Sequence, residues 1–152
     1  MRIEAVVAAS DEARSLVAAY VAEIAATFPG GFDPAASVSA DPDELTPPNG
    51  AFLVVREDDG TAIGCGGVKL LDPRTAEIKR MWLAPAARGR GLGRLLLDAL
   101  EGAARDLGAT EGRLDTNANL ESAIALYDRA GWRRTAPYND NAYATHWFTK
   151  TL

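Results

Sequence analysis

Residues 76–107, AEIKRMWLAPAARGRGLGRLLLDALEGAARDL, contain a strand pattern, a glycine-rich turn and an amphipathic helix pattern in direct succession. Gly89, Gly91 and Gly93 permit the tight backbone conformations that a turn before a helix needs. Such a turn directs unpaired backbone N–H groups and the positive end of the helix dipole at one place. We therefore predict an anion-binding site at residues 88–94.

Three arginines surround this turn. Arg88, Arg90 and Arg94 can add charge-assisted hydrogen bonds to phosphate oxygens. The spacing differs from a Walker A loop, because no Gly-Lys-Ser/Thr closes the turn, and from Gly-x-Gly-x-x-Gly, because the third glycine comes one residue early. Taken alone, the loop also fits a helix N-terminus with a flexible lead-in and solvated arginines.

The composition limits the functions to be considered. A chain of 152 residues predicts one domain, residues 1–152, and a net charge of −5 disfavours a nucleic-acid partner while mildly favouring a cationic substrate such as an amine. No apolar run approaches 18 residues and no secretion signal is recognisable, so we expect no membrane association and a cytoplasmic location. One cysteine, Cys65, and one histidine, His146, argue against a disulfide and a transition-metal site, so no metal is expected.

Residue periodicity and turn signals predict the remaining elements. We expect a first strand at 2–8 and then a helix that is N-capped by Ser10 and ends before Pro29. Further strands are predicted at 51–57, 62–71, 76–83, 112–116, 132–136 and 144–152, and further helices at 92–107 and 118–130. A right-handed crossover makes the strands at 76–83 and 112–116 parallel, and the last two strands can pair with each other.

Three motifs together resemble one superfamily. Arg88-x-x-Gly-x-Gly after the strand Glu-Ile-Lys-Arg-Met-Trp-Leu is similar to the acyl-CoA pyrophosphate motif of the GNAT superfamily of N-acetyltransferases. Leu126-Tyr-x-x-x-Gly-Trp resembles its Leu-Tyr-x-x-x-Gly-Phe segment, and residues 138–150 resemble the C-terminus of a bacterial single-domain branch. The likeness covers about residues 50–152. It implies an α/β (α+β) GNAT fold, with a mixed, mostly antiparallel sheet of about seven strands, flanking helices, and acetyl-CoA at the splayed parallel pair.

The same resemblance implies a reaction. An acetyl group passes from acetyl-CoA to a primary amine by direct attack on the thioester, with no metal and no covalent enzyme intermediate. The acceptor is a small-molecule or peptide amine, and a homodimer is an option, with Trp147 and Phe148 either supporting it or filling the core. The alternative is a catalytically silent CoA-binding sensor or interaction module.

The resemblance also assigns cofactor contacts. They comprise Met81, Trp82, Leu83, Arg88, Gly89, Arg90, Gly91, Leu92, Gly93 and Arg94. Where the superfamily often has an asparagine, seven residues before the tyrosine, this chain has Leu120. Asn117 and Asn119 are nearby candidates for the pantetheine contact, although Asn119 would equally serve as a helix N-cap.

Tyr127 and Glu77 are the candidate catalytic residues. Tyr127 occupies the position where the superfamily commonly has a tyrosine near the CoA sulfur, and a phenol can protonate a thiolate; the alternative is a core tyrosine. Strand alternation puts Glu77 on the same face as Met81 and Leu83, where its carboxylate could take the ammonium proton through a water. Alternatively, Glu77 pairs with a neighbouring cation as a surface residue.

Two regions are expected to form the acceptor site. By analogy with the bacterial branch, Asn139, Asn141 and Tyr143 line or cover the entrance. The segment 29–50 carries several acidic residues and is predicted to form either part of the acceptor wall or a solvated variable loop.

Overall fold

The computed structural model describes residues 1–33 and 40–152. The strands in these residues are β1 (Arg2–Ala5), β2 (Gly50–Arg56), β3 (Ala62–Asp72), β4 (Thr75–Leu83), β5 (Glu111–Thr116), β6 (Arg133–Thr135) and β7 (His146–Thr151). They form one sheet in the order β1-β2-β3-β4-β5-β7-β6. All neighbouring strands are antiparallel except β4 and β5, which are parallel. The predicted mixed sheet with one parallel pair is confirmed.

The helices follow the same order along the chain as predicted. They are α1 (Asp11–Thr27), α2 (Leu92–Asp106) and α3 (Glu121–Arg129), with short 3₁₀ helices at Pro42–Leu45 and Pro85–Ala87. Ser10 caps α1 as predicted, since its hydroxyl oxygen accepts a hydrogen bond of 3.2 Å from the Ala13 N–H. In the part of the chain that the structure describes, no helix is both long and apolar enough to span a membrane.

The two faces of the sheet carry separate hydrophobic clusters. On one face α1 packs over Phe52, Val54 and Cys65. On the other face, side chains of α2 and α3 pack against Ile78 and Phe148. Because Phe148 is fully buried, it fills the core, which was one of its two predicted roles.

The position of the last strand in the sheet was not predicted from the sequence. β7 pairs with β6, as expected, but it also inserts between β5 and β6 and pairs along all of β5. β5 therefore has a parallel partner on one side and an antiparallel partner on the other. α3 begins at Glu121 after the N-cap residue Leu120, so the predicted helix start at residue 118 and the capping role of Asn119 are wrong.

Truncation of Leu100 in α2 should destabilise the fold strongly. Its side chain is fully buried against the sheet, and Leu→Ala at such sites costs about 2–5 kcal/mol through lost burial and the remaining cavity. Urea unfolding of Leu100→Ala should show this loss. Leu95→Ala is the matched control, because Leu95 lies on the same helix but is 47% exposed, and it should change the free energy of unfolding by less than about 1 kcal/mol. Equal losses in both variants would contradict the packing described.

Candidate active site

The parallel strands β4 and β5 separate after a short stretch of pairing. The pairs run only from Thr75 with Glu111 to Glu77 with Arg113, although β4 continues to Leu83 and β5 to Thr116. The opening between them continues into a cleft with two regions. An inner cavity of about 110 Å³ lies between the separated strands and α1, and an outer groove of about 710 Å³ extends along α3 to the start of α2.

The two regions share part of their lining. The shared residues are Tyr20, Ile24, Met81, Leu120, Ala123 and Tyr127. Tyr127 and Met81 are close to each other, with 3.9 Å between the Tyr127 hydroxyl oxygen and the Met81 sulfur. A ligand in the outer groove and a second ligand in the inner cavity would therefore meet beside these two side chains.

A bulge in β4 determines which side chains face each region. β3 pairs Gly67 with Lys79 and Cys65 with Trp82, so Gly66 alone lies opposite both Arg80 and Met81. Arg80 has a φ of 57°, in the left-handed region, and its carbonyl oxygen accepts a hydrogen bond of 3.5 Å from the Cys65 thiol. The inserted residue reverses the alternation of side chains along the second half of β4.

This reversal corrects the predicted orientation of Glu77. Trp82 packs in the cluster under α1, whereas Ile78, Met81 and Leu83 pack in the cluster under α2 and α3. Lys69 and Cys65 lie four residues apart on β3, so their side chains share a face. Glu77 pairs with Lys69 and Trp82 pairs with Cys65, so Glu77 points toward the α1 face, as Trp82 does. The prediction that Glu77 shares a face with Met81 and Leu83 is therefore wrong.

The glycine-rich turn lies at the far end of the outer groove. Gly89 and Gly91 have φ values of 75° and 76°, and α2 begins directly after Gly91. Among the described residues, no side chain caps this helix N-terminus, so its first N–H groups are free to bind an anion. Gly89, Gly91, Leu92 and Gly93 all line the groove.

The three arginines of the turn differ in position. Arg88 and Arg94 line the outer groove. Arg90 does not; its guanidinium pairs with Glu57 instead. The structure therefore places two of the three predicted arginines in the lining of the outer groove.

Arg88 is held by α1 and β4. Its guanidinium lies 2.6 Å from a carboxylate oxygen of Glu23 and donates a hydrogen bond of 2.8 Å to the Leu83 carbonyl oxygen. The Trp82 indole N–H also donates to Glu23, at 2.7 Å. Partial burial opposes ionisation of Glu23, but the hydrogen bonds from Arg88 and Trp82 outweigh it and lower the pKa of this carboxyl.

Tyr127 lies where α3 crosses the junction of the two regions. Its ring packs against Phe148 at a centroid distance of 5.7 Å, and the side chain is buried. Burial raises the pKa of the Tyr127 phenol well above its ordinary value. The hydroxyl is therefore protonated at any physiological pH and can serve as a proton donor.

Glu77 belongs to a buried polar network. It is 1% exposed, and one carboxylate oxygen accepts a hydrogen bond of 2.6 Å from the Tyr138 hydroxyl. Lys79 lies 3.4 Å from the other oxygen. Burial, together with the negative charge of Glu77, raises the pKa of Tyr138. Glu77 lines neither region of the cleft, although Lys79 lines the inner cavity.

Asp115 of β5 is the carboxylate that faces the inner cavity. One of its oxygens accepts a hydrogen bond of 2.6 Å from the Asn139 amide, and the other accepts one of 3.0 Å from the Asn141 amide. The Asn139 amide nitrogen also lies 3.4 Å from Glu77. Asn139 thus connects the two carboxylates, and Trp147 fixes it by donating to its side-chain oxygen at 3.0 Å.

Sequence reasoning missed Asp115 and Tyr138. Asp115 follows Leu114 in a strand that alternates buried and less buried residues, and a carboxylate near the end of that strand, beside the predicted splayed pair, was an available signal. Tyr138 lies within the C-terminal segment already compared with the bacterial branch, but its contact with Glu77 spans 61 positions in the sequence. No local pattern indicates such a contact.

The two candidate asparagines near α3 have different positions. Asn117 lines the inner cavity and donates a hydrogen bond of 2.6 Å to the Tyr143 carbonyl oxygen, while its own side-chain oxygen accepts from the Asn119 N–H at 2.9 Å. Asn119 lines the outer groove. Of the two, Asn119 is the one placed beside the region that contains the glycine-rich turn.

Aromatic rings close one end of the inner cavity. Tyr143 packs against Phe28 and Phe32 at centroid distances of 5.1 and 4.6 Å, and all three line the cavity. Asn141 lines it too, whereas Asn139 lies behind it in the polar network.

The acidic residues that were predicted to form a wall of the acceptor site lie in two separate places. The Asp33 N–H donates to the Tyr143 hydroxyl at 2.6 Å, so the start of the segment 29–50 reaches the inner cavity. Asp43 and Glu44 instead line a separate depression. Residues 34–39 of this segment lie outside the described residues.

The sequence model of the Acetyltransferase (GNAT) family matches residues 18–132, which is most of the chain. The chain therefore belongs to the GNAT family. An uncharacterized N-acetyltransferase of Schizosaccharomyces pombe is 38% identical over 96 residues, which cover 62% of this chain and 59% of that protein. The chain spans 59% to 61% of the length of this and two other curated relatives that it matches.

Solved structures agree with this assignment. A candidate acyl-CoA N-acyltransferase from Klebsiella pneumoniae is 31% identical, with a TM-score of 0.81, and the match covers 99% of this chain and 97% of that one. A GNAT family acetyltransferase from Elizabethkingia anophelis, solved with acetyl-CoA bound, has the same fold with a TM-score of 0.63 at 16% identity; the match covers 99% of this chain and 97% of that chain.

Proposed function

We propose that this chain is an acetyl-CoA-dependent N-acetyltransferase that acetylates a primary amine by direct attack on the thioester. One observation carries the proposal: Tyr127 and Met81 lie where a groove lined by the glycine-rich turn meets a cavity lined by a carboxylate. Membership of the GNAT family supports the same reaction. We further propose that residues 1–152 act as one domain in the cytoplasm, where a lone thiol such as Cys65 stays reduced.

The residues present fit acetyl-CoA. Backbone N–H groups of residues 89–94 and the side chains of Arg88 and Arg94 would bind the pyrophosphate. Beyond Glu77, the edge of β4 that faces β5 has no strand partner among the described residues, so backbone groups of Met81 and the N–H of Leu83 are available to the pantetheine arm, whereas the Leu83 carbonyl oxygen already accepts from Arg88. Asn119 offers a side-chain amide on the opposite wall.

The protein residues then have defined tasks. When bound, acetyl-CoA supplies an acetyl group activated as a thioester. Asp115 accepts a proton from the acceptor ammonium, so that the free amine nitrogen forms the new bond to the carbonyl carbon as the carbon–sulfur bond breaks. Tyr127 donates its phenolic proton to the departing sulfur, and the second proton, which the acylated nitrogen loses as it becomes an amide, restores the phenol. Cys65 takes no part, because burial raises the pKa of its thiol to about 12.

Assigning the base to Asp115 revises the expectation for Glu77. Asp115 lines the cavity, whereas Glu77 is enclosed and already accepts a hydrogen bond from Tyr138. Through Asn139, Glu77 helps to hold Asp115 in place. We propose that Glu77 is a positioning residue and that Asp115 is the group that contacts the amine.

Tyr127→Phe should lower kcat about 100-fold or more while leaving the KM for acetyl-CoA nearly unchanged, since general acid catalysis is usually worth about 10²–10⁴-fold. Thiol release from acetyl-CoA should be followed with polyamines, amino acids, aminoglycosides, arylamines and short peptides as acceptors. Phenylalanine keeps the ring contact with Phe148, so the melting temperature should change little.

Retention of full kcat in Tyr127→Phe would reject the acid role. CoA binding without thiol release for any acceptor would reject the transferase and favour a catalytically silent CoA-binding module.

Arg94→Gln should weaken CoA binding about 3- to 10-fold, because one charge-assisted hydrogen bond to phosphate is lost from a half-exposed side chain. Arg90→Gln is the matched control: Arg90 is similarly exposed (45% against 49%) but pairs with Glu57 away from the groove. Titration calorimetry with CoA measures both. An equal loss in both variants would show that the turn attracts phosphate by its total charge only.

Asp115→Asn should lower kcat/KM about 100-fold or more, because the amide cannot accept the ammonium proton. Glu77→Gln should lower kcat/KM far less, since the new amide oxygen can still accept the Tyr138 hydrogen bond. A larger loss of kcat/KM in Glu77→Gln than in Asp115→Asn would restore Glu77 as the base.

A further inference from the structure

Arg80 brings an unpaired positive charge to the inner cavity. It lines the cavity from the bulge of β4, and its guanidinium carbon lies 5.9 Å from the centroid of the Tyr20 ring, which lines the same cavity. Its Nε atom is inaccessible to solvent and has no hydrogen-bond partner among the described residues. In those residues no carboxylate oxygen lies within 4.0 Å of the guanidinium, and the segment 34–39 contains no Asp or Glu.

The other charges of the cavity are already engaged. The charged residues in its lining are Lys79, Arg80 and Asp115. Lys79 lies 3.4 Å from Glu77, and Asp115 accepts hydrogen bonds from Asn139 and Asn141. Among the described residues, the cavity lining therefore carries two charges that form no ion pair, the positive charge of Arg80 and the negative charge of Asp115.

The position of Arg80 is costly for the protein in two respects. The Nε–H of its guanidinium is buried without a hydrogen-bond partner among the described residues, so the group loses hydration that only a partner can replace. The backbone of Arg80 also has a φ of 57°, which residues other than glycine seldom adopt. Such strained residues cluster at functional sites. A ligand with a negative group would compensate for the first cost.

We propose that the acceptor amine carries a carboxylate, and that Arg80 binds this carboxylate while Asp115 receives the ammonium group. This substrate class, a small amino acid, rests on the acetyltransferase function proposed above. A planar guanidinium matches a carboxylate by paired hydrogen bonds, which a point charge does not.

The arrangement suits a zwitterion. Arg80 and Asp115 both act on Tyr20: burial raises the pKa of this phenol, the Arg80 charge opposes the rise and the Asp115 charge adds to it. The two opposite charges line the same cavity as Tyr20, and among the described residues they form no ion pair with each other. Phe28, Phe32 and Tyr143 form an apolar wall of the same cavity, which favours an apolar side chain on the amino acid.

The test compares matched acceptors that differ in the carboxylate. L-Alanine, L-leucine and L-phenylalanine are each assayed against the corresponding amide in thiol release from acetyl-CoA, and each ligand is also titrated calorimetrically into the CoA-loaded protein. The protein is used as wild type, Arg80→Gln, Arg80→Lys and Arg74→Gln. Gln and Lys keep an unbranched side chain at the strained position, and Arg74 is an exposed residue at the turn before β4.

In the wild type, the best amino acid should exceed its amide in kcat/KM at least about tenfold. Arg80→Gln should bring this ratio close to one, Arg80→Lys should restore part of it, and Arg74→Gln should behave as wild type. At neutral pH the less basic amine of the amide has the larger free-amine fraction, so a preference for the acid cannot arise from easier deprotonation of the amine.

An amide used as well as its acid, or a ratio unaffected by Arg80→Gln, would overturn the inference while leaving the transferase function intact. If no acceptor releases thiol, the proposed function fails. The calorimetric titrations then test, independently of turnover, whether the protein recognises the carboxylate. Binding of an amino acid that is stronger than that of its amide and is lost in Arg80→Gln supports the inference. Equal binding of acid and amide, or binding of neither, overturns it.

Discussion

The early end of pairing between β4 and β5 is the constraint on which the site depends. After Glu77 and Arg113 the two parallel strands diverge, and β5 satisfies its other edge by pairing with β7. Beyond Glu77, the edge of β4 that faces the gap has no strand partner among the described residues, so its backbone groups need other partners, as the Leu83 carbonyl oxygen has in Arg88. The opening between the two strands continues into the two-part cleft of the candidate active site.

Local signals were sufficient for α1, for α2 and for the glycine-rich turn, but not for the start of α3. The capping of α1 by Ser10 and the positive φ of Gly91 depend on residues within a few positions of one another, so their chemistry is visible in the sequence. The parallel pair followed from the handedness of the crossover through α2, which is a general rule. The placement of β7 between β5 and β6 has no comparable local cause, because only pairing between distant strands selects it.

The bulge at Arg80 marks where sequence reasoning failed. Alternation assigns side chains to faces only while one residue opposes one residue, and here Gly66 opposes two. Every orientation inferred across the bulge was therefore reversed, including that of Glu77 relative to Met81. The polar network has the same origin in long-range structure: Tyr138 reaches Glu77 from a loop 61 positions away, and Asn139 reaches Asp115 from 24 positions away. Spacing in the sequence contains no information on such pairs.

Net charge and local charge act over different distances, so they affect different stages of the binding of an acceptor. The total of −5 describes the potential far from the protein, where salt screens it within about 8–10 Å. Inside the cavity a guanidinium lies at short range from a ligand, where its charge is screened least, so it has a larger effect than distant surface carboxylates. The preference for a cationic substrate inferred from composition therefore applies, at most, to the approach of a ligand. The cavity is lined by both a positive residue, Arg80, and a negative residue, Asp115, and composition alone could not have indicated this arrangement.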